Sequence, residues 1–80
     1  MKRDAFPCDD KKKAMIKIVE KLRKLGEINI LDGVRVDLED GWILVMPSGT
    51  EPKIRITVES KNRCNELYNK ASEIVRRAIS

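Results

Sequence analysis

Histidine is absent from this chain of 80 residues, which narrows the chemistry available to it. Without histidine the chain lacks the commonest general base and the usual partner of a serine or cysteine nucleophile. Its two cysteines, Cys8 and Cys64, are far apart and belong to no Cys-x-x-Cys pair. No zinc site or other metal site is therefore predicted. We expect two free thiols, with a disulfide as the alternative.

Aromatic residues and long apolar runs are also scarce. Aromatics make up 4% of the chain, and Trp42 and Tyr68 are too few to form a platform for stacking bases. No apolar run is long enough to span a bilayer, and Met1-Lys2-Arg3 is followed by Asp4, so neither a membrane span nor a signal peptide is predicted. We expect a cytoplasmic protein. The net charge of +4 is spread over well-mixed charges, which argues against nucleic acid as a partner.

Apolar residues recur at helical spacing in two segments of what we expect to be a single domain, residues 1–80. The first segment runs from Lys11 to a stop at Gly26, with Asp9 and Asp10 as candidate N-caps. Its basic run, residues 11–13, is predicted to be a solvated first turn. The second segment follows residue 62, with apolar positions at Cys64, Leu67, Tyr68, Ala71, Ile74, Val75 and Ala78. Both segments are predicted to be amphipathic helices.

Between the helices, apolar and polar residues alternate in the manner of β-strands. Strands are predicted over residues 34–39, 42–46 and 54–59, and residues 1–8 and 27–32 are a strand or, alternatively, an arm and a linker. Asp32-Gly33 marks a turn, and Asp40-Gly41 predicts a hairpin that pairs Leu38 with Ile43. Tight connections favour antiparallel pairing. The predicted fold is therefore α+β, with a two-layer arrangement of about four antiparallel strands and two helices on one face.

The residues with the clearest chemistry form a hexapeptide between two predicted strands, which we call the 47–52 loop: Pro47-Ser48-Gly49-Thr50-Glu51-Pro52. Two prolines stiffen it, and Gly49 permits backbone angles at which consecutive N–H groups converge on an anion. Ser48 and Thr50 can each donate a hydroxyl hydrogen bond. Just after the loop, Arg55 can grip phosphate through two bonds and Lys53 adds a mobile charge. The alternatives are a plain strand connection, which Glu51 mildly favours, and an anion site.

The stretch from Asp32-Gly33-Val34-Arg35-Val36 through GWILVMPSGTEPKIRITVE (residues 41–59) resembles the C-terminal domain of the α-D-phosphohexomutases, and especially that of archaeal members. This family includes phosphomannomutases, phosphoglucomutases and phosphoglucosamine mutases, and the similarity extends over essentially the whole chain. The resemblance implies a TATA-binding-protein-like α+β fold and a place as the last domain of a larger isomerase. That parent would interconvert hexose 1-phosphate and 6-phosphate, with Mg²⁺ and a catalytic phosphoserine in its other domains.

Residue by residue, the resemblance implies that Ser48, Gly49, Thr50 and Arg55 bind the phosphate of a sugar phosphate. Lys53 and Met46 are auxiliary candidates, because the family usually places arginine at the position of Met46. The resemblance implies no catalytic residue and no cofactor in this chain, so it is not expected to be an enzyme by itself. Its expected partners are a sugar phosphate and the other domains of a mutase.

Two other interpretations stay open at this stage. The first is a small basic interaction module that binds nucleic acid or protein through an open sheet face. The second is a mutase domain that has lost its ligand, with Met46 as the sign of that loss.

Overall fold

A computed structural model describes residues 1–30 and 33–79, which form a five-stranded antiparallel sheet and two helices. The strands are β1 (Lys2–Pro7), β2 (Ile28–Ile30), β3 (Val34–Leu38), β4 (Gly41–Pro47) and β5 (Lys53–Ser60), and the helices are α1 (Lys11–Arg23) and α2 (Cys64–Ile79). The spatial order of the strands is β1-β5-β4-β3-β2. The α+β prediction is confirmed. The predicted count of about four strands is too low, because both segments left open in the sequence are edge strands.

One face of the sheet carries the core. Alternate residues of the three inner strands are fully or almost fully buried: Val34, Val36, Ile43, Val45, Ile54, Ile56 and Val58. Both helices cover this face, α1 through Ile18 and Leu22, and α2 through Leu67, Ala71 and Val75. Full burial of each such aliphatic side chain stabilises the fold by about 1.5–3 kcal/mol. The opposite face of the sheet is left uncovered by the helices.

The N-terminal end of each helix is fixed by a side chain that accepts a backbone hydrogen bond. Asp10 caps α1, and its carboxylate accepts from the N–H of Lys13 at 3.1 Å. At the start of α2, Ser60 Oγ accepts from the N–H of Arg63 at 3.0 Å. The guanidinium of Arg63 in turn donates two bonds to the carboxylate of Asp40, at 2.9 and 3.0 Å. The β3–β4 hairpin is thereby tied to the start of α2.

The register of this hairpin differs from the prediction by two residues. Leu38 lies opposite Gly41 and Val36 opposite Ile43, so the two-residue connection is formed by residues 39–40. The Asp40-Gly41 pair predicted a turn, but Gly41 serves a different purpose. A Cβ at Gly41 would come within 2.1 Å of the Glu59 carbonyl oxygen on β5. Leu38 and Ile43 still lie on the same face of the sheet, because a shift by an even number of residues keeps each side chain on its face.

Three smaller points concern the cysteines, the Asp32-Gly33 turn and membrane-spanning helices. Cys8 and Cys64 are both free, and Cys8 is buried. The predicted turn at Asp32-Gly33 includes a residue outside the described ones. Within residues 1–30 and 33–79, no helix combines the length and apolar character needed to cross a membrane.

Candidate functional site

The 47–52 loop leaves the sheet at the end of β4 and returns at the start of β5. The N–H of Ser48 donates to the carbonyl oxygen of Lys53 at 2.9 Å, and the N–H of Lys53 donates to the carbonyl oxygen of Glu51 at 2.8 Å. Inside the loop, Ser48 Oγ accepts from the N–H of Glu51 at 3.2 Å. Such local side-chain bonds favour turns over continued strand. The loop is therefore closed on itself and does not extend the ladder.

Several donors at the tip of the loop have no internal acceptor. Neither the N–H of Gly49, nor the N–H of Thr50, nor the hydroxyl of Thr50 has a partner among the described residues, and both residues are exposed. The hydroxyl of Ser48 uses its oxygen as an acceptor and so keeps its own proton for donation. The tip of the loop therefore offers several free donors and no carboxylate, which is the composition expected of an anion site.

Gly49 is not required by the fold. Its φ is not positive, so it does not use the backbone angles that glycine alone adopts readily. A Cβ added at Gly49 would meet nothing within 4 Å, in contrast to Gly41. The absence of a side chain there instead leaves the backbone open to close approach from outside.

The two cations after the loop are not free in this structure. Lys53 Nζ lies 3.3 Å from Glu51 Oε2, and Arg55 Nη2 lies 3.8 Å from Glu51 Oε1. The three side chains are exposed by 44%, 62% and 47% for lysine, arginine and glutamate, so each pair is worth at most about 1 kcal/mol. Glu51 therefore faces the proposed anion-binding cations, and an anion would compete with it.

Met46 lies directly opposite Arg55 in the β4–β5 ladder, while the next pair joins Pro47 to Ile54. Directly opposed residues share a face, and Arg55 is on the face away from the core. Met46 therefore lies beside Arg55 on the open face. The side chain of Met46 is half-buried and brings no charge.

Lys11, at the start of α1, contacts the 47–52 loop, which its sequence position did not predict. Its ammonium group donates to the carbonyl oxygens of Ser48 and Glu51, the second at 3.0 Å. Nearby, the N–H of Cys8 donates to the carbonyl oxygen of Pro52 at 2.7 Å. The predicted solvated turn is therefore wrong for Lys11, although Lys12 and Lys13 are exposed. No spacing rule links residues 37 and 40 positions apart, so sequence pattern had no means of finding this contact.

Two carboxyl groups with lowered pKa values lie outside the loop. The hydroxyl of Tyr68 and then the N–H of Ala5 donate to Asp4 and lower its pKa. The Arg63 side chain lowers the pKa of Asp40 in the same way. The Tyr68–Asp4 bond joins α2 to β1, and the Arg63–Asp40 bonds join the residue before α2 to the β3–β4 connection, so both serve the fold. Within residues 1–30 and 33–79, no group of three or more His, Cys, Asp or Glu side chains is arranged to hold a metal ion.

Comparison with known proteins gives a consistent result. Residues 5–76 match the family model described as "Phosphoglucomutase/phosphomannomutase, C-terminal domain". The chain is 51% identical to a probable phosphoglucosamine mutase of Methanosarcina acetivorans, over 98% of this chain and 18% of that protein. It is 49% identical to one of Methanopyrus kandleri, over 96% and 18%. It is 42% identical to the phosphoglucosamine mutase of Methanocaldococcus jannaschii, over 98% and 19%. The chain thus spans less than a fifth of these archaeal relatives.

Proposed function

Because the chain belongs to the phosphoglucomutase/phosphomannomutase C-terminal domain family, we propose that its 47–52 loop binds the phosphate group of a hexose phosphate. The relatives named above are phosphoglucosamine mutases, so the proposed ligand is glucosamine 1-phosphate or glucosamine 6-phosphate. In this proposal the chain holds the phosphate that is not reacting. Elsewhere in a longer mutase, the phosphoserine that the family resemblance implies would donate its phosphoryl group to the free hydroxyl at the other sugar position, and the resulting serine would afterwards take up the phosphoryl group from the first position.

The observation that carries the proposal is the set of unused donors at Gly49 and Thr50. A backbone N–H group without an acceptor in the protein is tolerated only when solvent or a ligand can reach it, and these two residues are exposed. A phosphate oxygen would accept from both N–H groups and from the hydroxyls of Ser48 and Thr50. Charge-assisted bonds of this kind are about twice as strong as neutral ones.

The cations complete the proposed site by exchanging partners. Arg55 is held more loosely by Glu51 than Lys53 is, at 3.8 Å against 3.3 Å. In this proposal Arg55 turns to a bound phosphate, where its planar guanidinium can make two parallel bonds. Lys53 stays close to Glu51 and contributes mainly through its charge.

In this proposal the Mg²⁺ and the catalytic phosphoserine that the family resemblance implies lie in other domains of the parent mutase. Within the parent, closure of this domain over the sugar phosphate would exclude water from the transferred group. The contribution of this chain is binding and positioning.

The direct test is an NMR titration of the ¹⁵N-labelled chain with glucosamine 1-phosphate, glucosamine 6-phosphate and inorganic phosphate. Shifts concentrated at residues 47–55, and largest for the amides of Gly49 and Thr50, are expected. Binding in the millimolar range is expected, which corresponds to about 4 kcal/mol, because one domain offers only part of the site. Glucosamine without phosphate is the matched control and should shift these amides little.

The interaction-module interpretation makes different predictions. That interpretation predicts salt-sensitive binding of RNA or an acidic protein on the open sheet face, unaffected when Ser48 and Thr50 are both changed to alanine. Phosphate-induced shifts scattered over the lysines of α1 would contradict the proposal. So would a lack of shifts at the loop with millimolar sugar phosphate.

A further inference from the structure

We propose that Lys11 is a positioning residue, which holds the 47–52 loop in the conformation that presents its donors to phosphate. The proposal deepens the proposed function and rests on it. Lys11 is the first residue of α1 and comes 37 and 40 positions before its two partners, so α1 and the loop are joined by one side chain.

The geometry of the peptide unit links this contact to the site. In a planar trans peptide, the carbonyl and the following N–H point in opposite directions. The carbonyl of Ser48 is turned toward the Lys11 ammonium group, so the N–H of Gly49, in the same peptide unit, is turned away from it. That N–H is one of the donors without an internal acceptor. Lys11 therefore sets the direction of a donor that it does not itself touch.

The second hydrogen bond fixes the other end of the turn. The carbonyl of Glu51 accepts from the same ammonium group at 3.0 Å, and the following residue, Pro52, has no N–H to present. Residues 49 and 50 are thus held between two carbonyls that share one donor. Anchoring both ends reduces the conformational entropy that the loop would otherwise lose on binding a ligand.

Charge and burial strengthen the effect. The two carbonyl oxygens carry partial negative charge that would repel a phosphate, and the ammonium group covers them. The stem of Lys11 lines a groove of about 680 Å³ whose other walls include Met15, Ile16, Val19, Pro47 and Ser48. The bond to Ser48 is partly buried in this mainly apolar setting, where hydrogen bonds to a charged donor are stronger than in water.

The neighbouring lysine provides a matched control. Lys12 is exposed, lines the same groove and makes no hydrogen bond or ion pair with a described residue. Lys11→Met and Lys12→Met remove the same charge from adjacent positions of α1 and keep a side chain of similar length. A general electrostatic role would make the two variants equivalent, whereas a positioning role would not.

The experiment measures the dissociation constant for inorganic phosphate and the hydrogen exchange of loop amides, by NMR, in the wild-type chain, Lys11→Met, Lys11→Arg and Lys12→Met. Lys11→Met is expected to weaken phosphate binding by about tenfold and to speed exchange at Ser48 and Lys53, whose N–H groups close the loop. Lys12→Met is expected to change binding by less than about twofold. Lys11→Arg, which keeps the charge and the donors, should recover most of the lost affinity.

The outcomes separate this proposal from the proposed function. If the wild-type chain binds phosphate and Lys11→Met binds equally well, the positioning role is refuted and phosphate binding stands. Equal losses in Lys11→Met and Lys12→Met would also refute it, because only net charge would then matter. If the wild-type chain does not bind phosphate, the proposed function and the role of Lys11 in it fail together. Faster loop exchange in Lys11→Met would then show a purely structural clamp.

Discussion

Replacing Gly49 by alanine should separate phosphate binding from folding. The fold has space for a Cβ at this position, with nothing within 4 Å, and the backbone does not need a positive φ. A glycine-to-alanine change at a compatible position stabilises a protein by about 0.4–1 kcal/mol, because the unfolded chain has fewer conformations to lose. We therefore expect Gly49→Ala to be as stable as the wild-type chain or slightly more stable.

Phosphate binding should respond in the opposite direction. The added methyl group stands beside the free N–H groups of Gly49 and Thr50, in the space through which a phosphate would approach. Loss of one charge-assisted hydrogen bond costs about 1.5–3 kcal/mol. That range corresponds to about a 10-fold to 150-fold rise in the dissociation constant.

Urea unfolding followed by circular dichroism measures the first effect, and NMR titration with inorganic phosphate measures the second. Gly41→Ala is the matched control, since its Cβ would approach the Glu59 carbonyl oxygen to 2.1 Å and must displace β5. Gly41→Ala should lower the free energy of unfolding by several kcal/mol, as is typical of overpacked or strained sites. The reasoning is refuted if Gly49→Ala binds phosphate as the wild-type chain does, or if it is destabilised as Gly41→Ala is.

Three further changes have defined outcomes. Met46→Arg places a second guanidinium opposite Arg55, and the new phosphate contact should outweigh the cross-strand repulsion between the two arginines. Phosphate affinity should therefore rise about tenfold in the same titration, whereas Met46→Leu should leave it unchanged. No gain in Met46→Arg would place residue 46 away from the ligand. Ser72→Ala removes a buried hydroxyl without a hydrogen-bond partner among the described residues, and should raise the free energy of unfolding by about 1 kcal/mol in urea melts. The pKa of Asp40 is lowered in the folded chain by Arg63, so its stabilising effect is complete above its ordinary value of about 3.9 and is lost as the pH falls below that value. Asp40→Asn should accordingly reduce the fall in the urea midpoint between neutral and strongly acidic pH, and an unchanged profile would contradict this assignment.

Much of the fold was predictable because the spacing of apolar residues along a helix or strand shows which side chains are buried. Ile18 and Leu22 on α1, and Ile54 to Val58 on β5, lie where their spacing of 3.6 or 2 residues places them. The edge strands were harder to predict. β2 is three residues long, and β1 has five exposed residues of six, so neither shows a clear alternation between buried and exposed positions. Edge strands are defined by their pairing with a neighbour, which local sequence does not record.

The hairpin register shows a second limit of local patterns. Asp-Gly is a strong turn pair because glycine tolerates positive φ. At Gly41 the glycine is required for the opposite reason, since the next strand passes too close for a Cβ. Both demands select the same residue, so the sequence alone could not distinguish them.

Some features of the candidate site depend on local sequence, and others depend on contacts between distant parts of the chain. Residues 48–50 and Arg55 could be proposed from the sequence, because hydroxyls, a glycine and an arginine in a stiff loop have chemistry that is visible without coordinates. Two features that govern the electrostatics of the loop could not. Glu51 turns toward Lys53 and Arg55 instead of away from them, and Lys11 reaches the loop from another element. Each depends on side-chain direction or on chain topology.

Together, Lys11, Lys53, Arg55 and Glu51 leave a net charge of +2 around the ligand-free loop. This modest positive charge suits an anion that must be released as well as bound. Glu51 neutralises part of the charge while the site is empty and competes for Arg55 while it is full. With Met46 in place of a charged residue, the proposed grip combines Arg55 with the N–H groups of Gly49 and Thr50, and Lys11 is proposed to set the direction of the Gly49 N–H. Phosphate affinity should therefore depend less on salt than a site built from lysine and arginine side chains would, because fixed dipoles are screened less than exposed charges.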